Sequence, residues 1–113
     1  MKIINEIIEL TTRGNPDLLN LTSNLSGILK ASKLKNGNMT VFVVGSTAAI
    51  TTFEYEPGLI KDVQDLCEKI VPSDKRYCHD QTWGDANGYS HLRAMLLGPS
   101  LTIPHLRPTR KGG

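Results

Sequence analysis

Residues 39–58, MTVFVVGSTAAITTFEYEPG, decide the fold. Met39 to Val44 is rich in β-branched and apolar side chains on both faces and has no helical period, which predicts a buried strand. Gly45-Ser46-Thr47 interrupts the run with small and hydroxylated residues, and Ala48 to Phe53 resumes it in extended form. Glu54 and Glu56 arrive at its end, immediately before Pro57-Gly58. Such a strand delivers charge from an apolar sheet to a turn. A sheet edge with solvated acids accounts for the same pattern.

Downstream, Leu59, Val63, Leu66, Cys67 and Ile70 recur at intervals of three and four, while Lys61, Asp62, Asp65, Glu68 and Lys69 face water. That spacing predicts a helix ended by Pro72. Ser90 is placed to cap a short helix through Leu97, closed by Gly98 with Pro99 beyond, and Ser100 to Pro104 reads as a strand. Upstream, Asn36-Gly37 is a turn, and Thr22 is an N-cap for a helix with Leu25, Ile28 and Leu29 on one face. Lys2 to Thr12 suits an amphipathic first strand, with a turn at Arg13 to Pro16. These elements predict one α+β domain over residues 1–104, with two main helices against a mostly antiparallel sheet. The stretch from His105 to Gly113 carries no packing pattern and reads as a basic tail.

The chain has 113 residues, enough for one core and too few for a β/α barrel. Thirteen basic and eleven acidic side chains leave a charge of +2, and aromatics are scarce, so nucleic acid is not an expected partner. Cys67 and Cys78 lack the CxxC spacing of a zinc ribbon. Cys67 sits on the apolar stripe of its helix, whereas Cys78 is expected to be half exposed. A signal peptide and a run of about 18 apolar residues are both missing, which predicts a cytoplasmic protein and no membrane partner.

Ser73 to Tyr89 is a long polar segment, predicted as a functional loop. It holds His79-Asp80, and His91 follows in the next helix. An imidazole beside a carboxylate acts as a base or a metal ligand, with the acid fixing the tautomer; a solvated loop histidine is the plainer reading. Ser46 and Thr47 fit an anion-binding nest or an ordinary turn. Arg93 fits a phosphate contact or a solvated cation.

At these residues the chain resembles the YjbQ-like family. The likeness rests on Val41-Phe42-Val43, on Ser46 to Thr51, Glu54, Val71-Pro72, His79-Asp80 and Asn87, and on Ser90-His91-Leu92-Arg93 running into Leu96 to Leu101. The resemblance implies a sandwich-like α+β fold, a homotrimer and a polar pocket near subunit boundaries. Through the family's associated activity it implies a thiamine-phosphate synthase-like transferase joining a pyrimidine diphosphate to a thiazole phosphate. The alternative is a non-catalytic trimeric module binding a metal or a phosphate-like anion.

On the enzymatic reading, His79, His91, Glu54, Asp80 and Asn87 form the catalytic set, and Ser46, Thr47 and Arg93 hold the phosphate of a phosphorylated small-molecule substrate. His79 and His91 would ligate a divalent metal, magnesium or zinc. Two features depart from the family pattern. Gly45 stands where many members carry a histidine, and the chain lacks the strands that members carry after residue 104, so it reads as C-terminally shortened.

Overall fold

A computed structural model of the chain describes residues 1–14 and 16–106. Along the sequence run α1 (Thr22–Ser32), β1 (Asn36–Phe42), α2 (Pro57–Ile70), α3 (Cys78–Trp83), α4 (Gly88–Leu97) and β2 (Ser100–Leu106). The architecture is α+β. The chain divides into two compact units: residues 1–39 with the chain from Ile103 onward, and residues 40–102.

In the first unit, the Thr22 N–H donates to Asn20 Oδ1 at 3.0 Å, so Thr22 opens α1 as a helical residue rather than capping it. Leu25 and Leu29 of α1 line an apolar cleft of about 220 Å³ together with Met39, Ile103 and Pro104. Residues 1–13 form no regular strand, contrary to the expected amphipathic strand over Lys2 to Thr12. Alternation alone does not make a strand. Its N–H and C=O groups need a partner chain beside them, and no neighbouring strand pairs with this segment among the described residues.

The second unit holds α2, α3 and α4. β1 and β2 pair as a two-stranded sheet. Thr40 and Thr102 join their hydroxyls at 2.9 Å, and the Val43 N–H donates to the Pro99 carbonyl at 2.8 Å. Partners therefore run in opposite order along the two strands, and the pair is antiparallel. β1 begins at Asn36, so Asn36 and Gly37 belong to the strand rather than to the expected turn, and it is bounded at Phe42, short of the expected Val44. Ala48 to Phe53 is not a regular strand either; the Ile50 N–H reaches the Gly98 carbonyl at 3.1 Å. Two successive carbonyls, Gly98 and Pro99, thus anchor both ends of the loop that carries Ser46 and Thr47.

Glu56 caps α2 through its side chain, accepting from the N–H groups of Gly58 and Leu59, while Pro57 occupies the first turn, where its missing donor costs nothing. The helix follows its apolar period, but no residue of it is buried. Cys67 is only partly covered, and Cys78 is exposed. Across the described residues Val71 is the one buried apolar side chain and Arg93 the one buried charged one. Leu66, Ile70, Met95 and Leu96 remain exposed, and Trp83 is 75 % accessible. The apolar stripe of α2 is only partly covered at Leu59, Val63 and Cys67, and polar joints at the helix ends add to it.

The segment Ser73 to Tyr89 is not a plain loop, because it contains α3. β2 continues through His105 and Leu106, which the sequence placed in the tail. The rest of that tail, residues 107–113, lies outside the described residues.

Candidate functional site

The site is built from two short helices that one carboxylate ties together. Tyr77 precedes α3 in extended conformation, and Asp80, three residues on, reaches back to accept the Tyr77 N–H at 3.0 Å. Its other oxygen accepts the N–H of Gly88, the first residue of α4, also at 3.0 Å. These two backbone donors hold the Asp80 carboxyl below its ordinary range, the Tyr77 bond contributing most. Gly84, in the left-handed region at φ +72°, ends α3 and turns the chain toward α4. Gly88 is required by space rather than by φ. A Cβ there would stand 2.8 Å from Tyr77 Cβ and 3.0 Å from Asp80 Oδ1.

This joint brings His79 and His91 together. Their ring centroids lie 4.4 Å apart with planes tilted by 58°. Asn87, the residue before α4, reaches His79 Nε2 at 2.9 Å, and its nitrogen, turned to face the acceptors around it, stands 2.9 Å from Asp85 Oδ1. Asp85 Oδ1 itself lies 3.6 Å from His79 Nε2. The His79 ring is half-buried and Asp85 is exposed. The cluster can exchange hydrogen bonds and protons with a small polar molecule. Asp85 is the member that sequence reasoning missed; the Asp85-x-Asn87 spacing, two residues either side of Ala86 at φ +55°, is the signal that lay there.

The other expected residues have surroundings of their own. Glu54 is exposed, and its carboxylate makes no hydrogen bond or ion pair among the described residues. Ser46 and Thr47 are exposed in the anchored loop, after Gly45 at φ +124°. Arg93 is directed inward. Its Nε and Nη2 donate to the Val71 carbonyl at 3.0 and 2.7 Å, and Nη2 also meets Glu68 Oε1 at 2.8 Å. Its guanidinium carbon stands 5.0 Å from the Tyr89 ring. A cation bonded in this way secures the end of α2 to α4 and is not presented as a phosphate contact. Glu68, which the helical period assigned to water, is its partner, and hydrogen bonding from Ser73, then from Arg93, lowers the Glu68 carboxyl to about 2.

The donor set does not make a resident metal site by itself. Among the described residues no group of three or more His, Cys, Asp or Glu side chains is placed to hold an ion. His79 and His91 supply two imidazoles, half of a tetrahedral zinc shell.

The chain matches the model of the family described as "UPF0047 protein YjbQ-like" over residues 6–108. It belongs to the YjbQ-like family. A UPF0047 protein of Methanothermobacter thermautotrophicus is 39% identical over 104 residues, covering 92% of this chain and 71% of that protein. One from Archaeoglobus fulgidus is 31% identical over 97 residues, covering 86% of this chain and 73% of the relative. Among solved structures, a YbjQ-like protein of unknown function from Sulfolobus solfataricus superposes with a TM-score of 0.80 at 30% identity, covering 87% of this chain and 70% of that one. A hypothetical protein from Aeropyrum pernix gives 0.79 at 26% identity, covering 86% and 71%.

These findings correct the functional expectation. The YjbQ-like relatives carry no activity in their names, and the Sulfolobus structure is described as of unknown function. Membership in the family brings the fold and not a reaction, so thiamine-phosphate synthesis does not follow from it. The trimeric non-catalytic module held beside it gains no support from these names either. As for location, no helix among the described residues is long and apolar enough to cross a membrane.

Proposed function

We propose that the α3–α4 hairpin of this YjbQ-like protein is its ligand-binding element, taking a small polar molecule through His79 and His91. The observation that supports this is the imidazole pair itself, with centroids 4.4 Å apart and one ring held by Asn87. A structural role would need neither ring, because the helices are already joined through Asp80. Two neighbouring imidazoles offer a donor and an acceptor to one ligand. A phosphorylated small molecule is the proposed class, since its oxygens accept hydrogen bonds from imidazole N–H groups.

The experiment is a titration of the full chain with inorganic phosphate and a phosphomonoester, and separately with zinc and magnesium, following the His79 and His91 ring resonances by NMR. A phosphate ligand shifts both rings together. His79→Gln and His91→Gln then each weaken binding about tenfold, the worth of one charge-assisted hydrogen bond. Rings that respond to none of these probes at millimolar concentration would remove the proposal. Rings that respond to zinc alone would replace it with a metal site. The homotrimer is likewise a proposal, supported by the exposed Leu66, Ile70, Met95 and Leu96. Light scattering that gives a monomer at assay concentrations would count against it.

A further inference from the structure

We infer that Asp85 is a positioning residue that fixes the tautomer of His79, so that neutral His79 carries its proton on Nδ1 and serves as a hydrogen-bond donor. The inference deepens the proposed ligand site and rests on it for its functional meaning. The tautomer itself is measurable without any ligand.

An ionised carboxylate only accepts hydrogen bonds. One terminal atom of the Asn87 amide lies 2.9 Å from Asp85 Oδ1 and 3.2 Å from Oδ2, so that atom is the nitrogen. An amide oxygen there would oppose two carboxylate oxygens. The same nitrogen lies 2.9 Å from His79 Nε2 and has two hydrogens to give. With one directed at Asp85 and the other at His79, Nε2 must be the acceptor. A neutral imidazole carries one proton, and an accepting Nε2 leaves that proton on Nδ1.

Two consequences define what the site can take. With Nε2 occupied by the Asn87 N–H and Nδ1 protonated, neutral His79 has no free lone pair for a metal. It presents an N–H instead, and no hydrogen bond to that N–H exists among the described residues. The ligand class that answers an imidazole donor is one with an accepting oxygen, such as a phosphate ester, a carboxylate or a carbonyl. His91, whose ring lies tilted beside it, is then the ring left with an uncommitted lone pair among the described residues.

The test is long-range 1H–15N correlation NMR of the ring nitrogens in the full chain, at a pH where both histidines are neutral. His79 Nε2 should resonate as an unprotonated nitrogen and Nδ1 as a protonated one. Asp85→Asn removes the obligate acceptor and frees the Asn87 amide to turn, so the tautomer ratio should move about fivefold or more toward Nε2–H. Because Asp85 is exposed, this variant should keep its fold and its thermal midpoint.

Asn87→Asp is the second variant. Its carboxylate can only accept, which should drive His79 to Nε2–H. A wild-type His79 already protonated at Nε2 would overturn the inference, as would an Asp85→Asn variant with an unchanged ratio. If the tautomer behaves as stated but no oxygen ligand binds, the positioning role stands and the proposed ligand site fails.

Discussion

Replacing Arg93 with Met separates its internal role from the ligand contact that its sequence position suggests. Met keeps an unbranched apolar stem and removes every donor. The Val71 carbonyl then loses both of its bonds from Arg93, at 3.0 and 2.7 Å, in a residue that is 7% exposed. An acceptor left dry in this way costs about 1–3 kcal/mol. The Glu68 ion pair adds little, because Glu68 is 44% exposed and solvent screens the interaction. The expected loss is therefore about 2 kcal/mol, or roughly 6–12 °C in thermal midpoint for a domain of this size.

Thermal and urea unfolding at one fixed protein concentration measures it, with Arg93→Lys expected between Met and the parent because an ammonium cannot reproduce the fork. In the Met variant the Glu68 carboxyl should also rise from about 2 toward its ordinary 4.5. It should stop short of that value, because hydrogen bonding from Ser73 is the larger cause of the shift. An Arg93→Met protein that unfolds within about 0.5 kcal/mol of the parent, a surface-like change, would refute the internal role. If it also lost phosphate binding, Arg93 would be a ligand residue after all.

Gly88→Ala should destabilise by about 1–3 kcal/mol through overpacking against Tyr77, and should weaken the mutual ring-current shifts of His79 and His91 in NMR spectra. Gly45→His should also destabilise, by about 1–3 kcal/mol, because φ is +124° there although space is open; unchanged stability by urea unfolding would show that the loop adapts. Acid should unfold the protein in a defined window. Glu68 and Asp80 both have lowered values in the fold, so their stabilisation is complete above the ordinary carboxylate range and is lost as pH falls, for Glu68 between 4.5 and about 2. Asp80→Asn should flatten part of that acid limb in pH-dependent unfolding, and an unaltered limb would show that Asp80 does not couple folding to protons.

Helix α2 was legible because its apolar period is long, although its entry at the Glu56 cap and Pro57 was not read from the sequence. The end of α4 was legible from Gly98. Its start was misplaced by three residues, since Ser90 looked like a cap whereas the cap position is Asn87. α3 was hidden because six residues carry no readable period, and its stability comes from Asp80 rather than from an apolar stripe. The strand expected over Ala48 to Phe53 failed for a different reason, as β-branched composition marks a chain suited to pairing without supplying the neighbour. At the site, the adjacency of His79 to Asp80 and the nearness of His91 drew notice, but sequence adjacency left Asp85 unnoticed. Asp80 is spent on backbone donors, and Asp85 is the acid that faces the imidazole through Asn87.

The scarcity of buried apolar side chains bears on how this protein responds to temperature. Unfolding raises heat capacity chiefly by bringing new hydrocarbon surface into water. With Leu66, Ile70, Met95, Leu96 and Trp83 already wet, the second unit has less hydrocarbon left to expose than its composition would allow. Its heat-capacity increment should be small for its length, and its stability curve a shallow dome that declines gently toward both cold and heat. A partner surface that dried those side chains would add the missing increment. Calorimetry would see the dome become taller and more sharply curved.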